Sequence, residues 1–209
     1  MLCLTVPSDE QWAVAAVRSL PALLVDHAHC EMKAATNALS LVGRYPETAG
    51  NVLARALADI AAEEVLHFQQ VLALLDARGL VLGAPPVDTY AASLRHAAAG
   101  LPPHRGASLV DRLLVAALIE ARSCERFKLL TAALDQADTE LCDFYAGLLA
   151  SEARHYRTFV DLACEVGRGE PAMDEPTVLS RLARLATMEA KIVSTLAHAH
   201  GGDRATIHG

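Results

Sequence analysis

The sequence has few aromatic residues, no paired cysteines and no excess of positive charge, and each absence excludes a class of protein. Phe, Tyr and Trp make up only 4% of the 209 residues, which disfavours a sheet-rich fold because aromatic side chains are enriched in strands. The five cysteines are an odd number without a Cys-x-x-Cys spacing, so neither a disulfide framework nor a zinc ribbon is expected. The formal net charge of −7 excludes a generally basic nucleic-acid coat, although not a local basic face.

Long apolar runs are absent as well. The first twelve residues have neither the basic start nor the apolar stretch of a secretory signal, and no segment approaches the roughly 20 apolar residues of a membrane span. We therefore expect a cytoplasmic protein without a membrane partner. A chain of this length can bury roughly 70% of its unfolded surface, which predicts one domain spanning residues 1–209.

Helical periodicity is present through most of the sequence. Together with glycine, proline and capping residues, it predicts seven helices at about 9–20, 21–43, 47–79, 88–99, 108–134, 138–167 and 175–199. Tight turns join the second helix to the third and the fifth to the sixth, and a long crossover separates these two hairpins. This order is typical of the ferritin-like four-helix bundle. We expect an all-α ferritin-like core over about 21–167, with additional helices at both ends.

Two copies of Glu-x-x-His occur, at Glu64–His67 and Glu152–His155. Positions three apart share a helix face, so each copy directs a carboxylate and an imidazole the same way. With 13 Glu and 9 His in the chain, roughly half a copy is expected by chance. The position of an upstream glutamate makes chance a poorer explanation than the two copies alone do. Glu31 lies 33 residues before Glu64, and Glu120 lies 32 residues before Glu152.

These six residues supply four carboxylates and two imidazoles, which is the ligand pattern of di-iron and di-manganese carboxylate bundles. Oxygen and imidazole ligands suit iron or manganese, whereas structural zinc usually takes thiolates. The expected ligands are Glu31, Glu64 and His67 for one metal, and Glu120, Glu152 and His155 for the other. By analogy with such sites, Glu64 and Glu152 bridge the metals. The alternative places these glutamates on solvated faces, but their neighbours one turn away are small or apolar, which favours a core position.

Two residues beside this pattern, His27 and Glu63, have two interpretations each. His27 and His29 both precede Glu31, but residues two apart diverge by about 200° on a helix, so they do not both face one ion. His27, one turn from Glu31, either supports the site or is a plain helix-face histidine. Glu63 either orients a ligand imidazole or is solvated.

Over roughly residues 10–195 the sequence resembles the MiaE family. The resemblance is carried by the stretches 26–35, 62–68, 119–127 and 151–156. The Glu-x-x-His copies are shared with all ferritin-like proteins, whereas Ile119-Glu-Ala-Arg-Ser-Cys-Glu-Arg-Phe127 is more discriminating. The resemblance implies a non-haem di-iron monooxygenase that uses O₂ and an external two-electron donor. Its implied substrate is 2-methylthio-N6-isopentenyladenosine at tRNA position 37, which it would hydroxylate on the isopentenyl side chain.

A tRNA substrate needs basic contacts. Between residues 95 and 128 there are six Lys or Arg, Arg122 and Arg126 among them, against three acidic residues, a local excess of +3. We therefore expect part of the RNA face in the crossover and the following helix. The candidate contacts are Arg105, Arg112, Arg154 and Arg157. Ordinary surface charge is the alternative for any one of them.

Two other functions stay open on the sequence. Within the same architecture, the chain fits a ferritin-like di-iron or di-manganese oxidase or peroxide-handling protein that has no RNA substrate. Outside it, a non-catalytic iron-binding helical bundle fits as well. For the tRNA-modifying enzyme we expect a monomer, whereas an iron-storage bundle would normally form a large symmetric cage.

Overall fold

The computed structural model describes residues 2–103, 107–134, 137–169, 173–199 and 207, without the side chains of 10, 47–49, 107 and 197–199. These residues form seven α-helices and no strand. The helices are α1 (Glu10–Arg18), α2 (Leu20–Arg44), α3 (Pro46–Ala77), α4 (Thr89–Ala99), α5 (Ala107–Leu134), α6 (Thr139–Arg168) and α7 (Glu175–Ala199). The all-α class is confirmed, and each predicted helix end lies within two residues of the observed one.

Local sequence explains where several helices begin and end. Asp88 caps α4, because its side chain accepts a hydrogen bond from the Ala91 amide at 3.0 Å, and Asp138 caps α6 through the Leu141 amide at 3.0 Å. Such caps satisfy amides that have no partner inside the helix. Gly79 follows α3 with a φ of 64°, a left-handed conformation that glycine adopts without strain.

The chain divides into two compact units, Ser19–Val87 and Met1–Arg18 with Asp88–Gly209. We call Ser19–Val87 the hairpin unit. It consists of α2 and α3, which pack along each other and are joined by the single residue Tyr45. Leucines, alanines and Cys30 form the apolar part of the buried face of α2, and α3 adds Leu57, Ile60 and Val71.

The second unit, which we call the larger unit, contains α1 and α4 to α7. Its central helix is α5, which packs against α6 along their length and also against α1, α4 and α7. The rings of Phe127 on α5 and Tyr145 on α6 lie 5.2 Å apart in this core. Among the helices that the structure describes, none combines the length and apolarity that crossing a membrane requires.

Candidate metal centre

The hairpin unit brings together the first three predicted ligands. Glu31 on α2 and Glu64 and His67 on α3 are all buried, and each offers a ligand atom within 4.8 Å of the others. His67 Nδ1 lies 3.3 Å from Glu64 Oε2 and 3.6 Å from Glu31 Oε2. We call these three residues the hairpin cluster. Its two carboxylates and one imidazole form half of the predicted donor set.

His27 is part of the surroundings of this cluster. It is fully buried, and its Nε2 lies 2.5 Å from Glu31 Oε1. Of the two interpretations of His27, the structure therefore favours a partner of Glu31. His29 lies elsewhere, with Nε2 3.3 Å from the carbonyl oxygen of Gly83, as expected for residues two apart on a helix. Glu63 is half-buried beside Glu64.

The charges in the hairpin cluster depend on each other. Burial opposes ionisation of Glu31, but the charge on His27 and hydrogen bonds within the cluster hold the pKa of this carboxyl well below its usual range. Burial also opposes protonation of His67, yet its interactions with Glu31 and Glu64 raise the pKa of His67 to about 10. The Glu31 carboxylate thus stays ionised and attracts positive charge, which a divalent metal cation would supply.

The larger unit brings together the other three predicted ligands. Glu120 on α5 and Glu152 and His155 on α6 are buried, with exposed fractions of 5%, 2% and 1%. Each offers a ligand atom within 4.8 Å of the others, and we call them the α5–α6 cluster. Glu-x-x-His places Glu152 and His155 on one face of α6, and helix pairing supplies Glu120.

Small and apolar residues surround both clusters, as the sequence pattern predicts. Ala34 and Phe68 are half-buried, and the other flanking residues are buried, namely Ala35, Ile60, Ala116, Ala117, Leu148 and Phe159. The alternative of solvated glutamates is wrong for all four carboxylates. Burying a carboxylate is costly unless a cation or hydrogen bonds compensate, so the donor chemistry of both clusters fits a bound divalent metal.

The stretch 119–127 has a second role on the opposite side of α5. Arg122 is fully buried, and its Nε and Nη2 donate to the two carboxylate oxygens of Glu189 on α7 at 2.9 Å each. Tyr90 on α4 also donates to Glu189, at 2.9 Å. Pairing with Glu189 outweighs the effect of burial and raises the pKa of Arg122 above its usual value.

The same network holds the N-terminal segment. Arg122 donates to the Val6 carbonyl oxygen at 3.1 Å, and Glu125 accepts from both the amide and the hydroxyl of Ser8 at 2.7 Å. Arg126 donates to the carbonyl oxygen of Ile207 at 2.6 Å. The discriminating motif of the sequence therefore joins α5 to distant parts of the larger unit.

These contacts correct the predicted RNA face. Arg122 and Arg126 are 0% and 4% exposed, so they add nothing to a basic surface, although the local charge count included both. Among the four candidate contacts, Arg112 is half-buried, Arg154 and Arg157 are exposed on α6, and Arg105 lies outside the described residues. Their contact with RNA stays a prediction.

Sequence reasoning missed Glu189 and Tyr90. The signal for Glu189 was present, because Leu185, Ala186 and Ala190 are buried around it on α7, and a glutamate on an apolar face needs a partner. Its partner is 67 residues away in the chain, so no local pattern identifies Arg122 as that partner.

The sequence is similar to proteins of one known family. A profile of the MiaE family, described as tRNA-(MS[2]IO[6]A)-hydroxylase, matches residues 1–201. A Pseudomonas putida protein named tRNA 2-(methylsulfanyl)-N(6)-isopentenyladenosine(37) hydroxylase is 43% identical over 161 residues, 77% of this chain and 75% of that protein. A Salmonella typhimurium protein of the same name is 31% identical over 207 residues, 77% of this chain and 74% of that protein.

A solved structure is similar over the whole chain. It is described as Protein 43 with aldehyde deformylating oxygenase activity from Synechococcus, with a TM-score of 0.83, 37% identity, and coverage of 100% of this chain and 96% of that one. This likeness agrees with the predicted ferritin-like fold class. Since the family profile spans nearly all residues and a 43% identical relative covers more than two thirds of the chain, the protein belongs to the MiaE family.

Proposed function

We propose that this protein is an O₂-dependent di-iron monooxygenase that hydroxylates the isopentenyl side chain of 2-methylthio-N6-isopentenyladenosine at tRNA position 37. The observation that carries the proposal is the pair of buried Glu/Glu/His clusters in a chain of the MiaE family. The names of the two curated relatives support the substrate class.

The proposal assigns one iron to each cluster. Glu31, Glu64 and His67 would hold one ion, and Glu120, Glu152 and His155 the other. The repeated Glu … Glu-x-x-His pattern of the sequence supports this assignment, and by analogy Glu64 and Glu152 would bridge the ions. Four carboxylates would balance the charge of two divalent cations, which otherwise repel each other in a low-dielectric environment.

When bound, the irons supply the oxidation chemistry: with two electrons from an external donor and two protons, O₂ yields one oxygen atom inserted into a C–H bond and one water. The protein's own residues prepare this reaction. Apolar neighbours such as Leu148 and Phe159 exclude bulk water and suit a prenyl chain. The target base lies in a single-stranded loop, so it can leave the stack without melting a duplex.

His27 is expected to position Glu31 by holding Oε1, so that Oε2 stays directed into the hairpin cluster. Replacing His27 with Leu removes this hydrogen bond, and we expect iron affinity at the cluster to fall by about 10–100-fold, as for other partners of metal ligands. Titration of the iron-free protein with ferrous iron measures the effect.

The matched control for His27 is His96→Leu, an exposed histidine on α4. His27→Gln, which retains a hydrogen-bond donor, should recover part of the affinity. Equal iron affinity in His27→Leu and the unmodified protein would contradict the positioning role of His27.

One other function has an observation in its favour. The Synechococcus protein is described with aldehyde deformylating oxygenase activity and is 37% identical to this chain, so an oxygenase with an aldehyde substrate would have the same fold. An oxidase or peroxide-handling protein, or a non-catalytic iron-binding bundle, would also explain the two clusters. None of these functions agrees with the names of the two curated relatives, which are tRNA hydroxylases.

Reconstitution tests the proposal. Protein loaded with ferrous iron is supplied with reductant, O₂ and tRNA that carries the prenylated, unhydroxylated nucleoside, and the digested nucleosides are analysed by mass spectrometry. We expect a gain of one oxygen atom on the isopentenyl group, dependent on iron and O₂. Turnover of a long-chain aldehyde with no change in the tRNA would assign the aldehyde reaction instead, and loaded iron without either product would indicate a non-catalytic bundle.

A further inference from the structure

A groove of about 460 Å³ lies between α4 and α7 in the larger unit. Its lining is mostly apolar, with Ala92 and Ala97 on α4 and Met188 and Ile192 on α7, and Ser93, His96 and Lys191 are its polar members. We call it the α4–α7 groove. None of these residues belongs to the clusters or to the Arg122 network, so the proposed chemistry leaves the groove without a role.

The surface around the groove is positively charged. Arg95 and His96 on α4 and Arg184 and Lys191 on α7 are exposed. Helix α4 contains no acidic residue, and α7 has only Glu175, in its first turn, and the buried Glu189. As far as the structure describes these two helices, the four basic side chains have no exposed carboxylate beside them after the first turn of α7, in a chain with a net charge of −7.

These basic side chains are available to a ligand. Within the part of the chain that the structure describes, none of the four forms an ion pair with a carboxylate. Arg184 and Lys191 are seven residues apart and so lie on one helix face, about 10 Å apart along the axis. Such a spacing allows the two cations to contact different phosphates of one strand.

The groove also has a defined position relative to the α5–α6 cluster. Glu120 and Arg122 are two residues apart and therefore point to nearly opposite sides of α5. Arg122 faces α7 and α4, where it meets Glu189 beside Tyr90, whereas Glu120 lies with Glu152 and His155. The groove is thus on the Arg122 side of α5, away from the cluster where chemistry is proposed.

We propose that the α4–α7 groove binds the sugar–phosphate backbone of tRNA at a point remote from the nucleotide that is modified. This inference rests on the proposed function, which supplies the polyanionic substrate. A tRNA is several times longer than the 10–12 Å width of a helix, so one molecule can reach both sides of α5. Phosphate contacts position a nucleic acid without reading its sequence, and the mostly apolar lining would accept a ribose or a base against His96.

An acidic protein, such as an electron donor, is the other partner that a basic groove could attract. A phosphate backbone is favoured, because its regularly spaced negative charges match the two cations that lie about 10 Å apart along α7. The substrate proposed for this family is itself RNA, so a backbone site needs no additional partner.

The test is a double charge reversal, Arg184→Glu with Lys191→Glu, compared with Arg44→Glu with Arg55→Glu. The control residues are exposed in the hairpin unit and produce the same change in net charge. The probe is tRNA that carries the prenylated, unhydroxylated nucleoside, and its Kd is measured from 50 to 300 mM salt. We expect the groove variant to bind roughly tenfold more weakly at low salt and its salt slope to fall by about two, with kcat at saturating tRNA unchanged.

The possible failures are distinguishable. If the unmodified protein binds tRNA and both double variants lose the same amount of affinity, the groove assignment is overturned, because net charge alone would then explain the effect. An unchanged Kd and slope in the groove variant would overturn it too. Normal tRNA binding with slower reduction by an acidic ferredoxin would assign the groove to a protein. Absence of tRNA binding by the unmodified protein would overturn the proposed function itself and this inference with it.

Discussion

The Glu152→Ala variant is expected to contain at most about one iron per chain instead of about two, and to lose hydroxylation activity by more than about 100-fold. Even the outer hydrogen-bonding partners of metal ligands contribute 10–100-fold, so a ligand that is 2% exposed and is proposed to bridge both ions should contribute more. Iron is measured by elemental analysis, and activity by the mass of the digested nucleosides.

The control for Glu152 is Glu165→Ala, which removes an exposed carboxylate from the same helix and should leave iron content and activity intact. The iron-free Glu152→Ala protein should also unfold at a temperature no lower than the unmodified iron-free protein, because the substitution removes a buried charge. Full iron occupancy together with full activity would overturn the role of Glu152.

The second large effect is expected in stability. Replacing Arg122 with Met leaves the buried carboxylate of Glu189 without its cation, although it retains the hydrogen bond from Tyr90. Removing one partner of a buried ion pair usually costs about 3–5 kcal/mol in the free energy of unfolding. Urea unfolding of the iron-free protein measures this cost without a contribution from the metal.

Two further variants separate this cost from the loss of side-chain volume. Arg122→Met combined with Glu189→Gln removes both charges and keeps an acceptor for Tyr90, so we expect it to recover at least about half of the lost stability. Arg168→Ala breaks an ion pair whose partners are 62% and 64% exposed, and it should change stability by less than about 1 kcal/mol. Similar losses in the Arg122 and Arg168 variants would contradict a buried network.

The sequence predicted the helices well because their signals are local. Helical periodicity, the capping residues Asp88 and Asp138, and Gly79 at the end of α3 each act within a few residues. The same holds for Glu152 and His155, whose spacing places both on one face of α6. Glu31 and Glu120 lie on a different helix from the Glu-x-x-His copy that each accompanies. They could be predicted only because each lies at a similar distance before its copy.

The predicted RNA face was based on the number of Lys and Arg residues in one stretch of sequence, and that number does not show which of these side chains are exposed to solvent. Arg122 and Arg126 entered the local excess as surface cations, but both are buried, because their partners come from α7 and the terminal segments. The basic pair on α7, Arg184 and Lys191, was not in the predicted RNA face, since it lies far from the counted stretch in the chain. Burial and pairing over such separations follow from the fold alone.

Helix α5 contributes side chains to two different parts of the protein, and this affects what a shared sequence motif in α5 indicates about related proteins. Residues 119–127 contribute Glu120 to the α5–α6 cluster on one side of the helix and Arg122 and Glu125 to the network on the other, so a substitution in this segment can affect either the proposed metal centre or the architecture. A shared signature here therefore identifies a common oxidising scaffold rather than a common molecule to be oxidised. Enzymes that diverge in specificity can retain this segment unchanged, and their differences should accumulate on outward-facing positions of other helices.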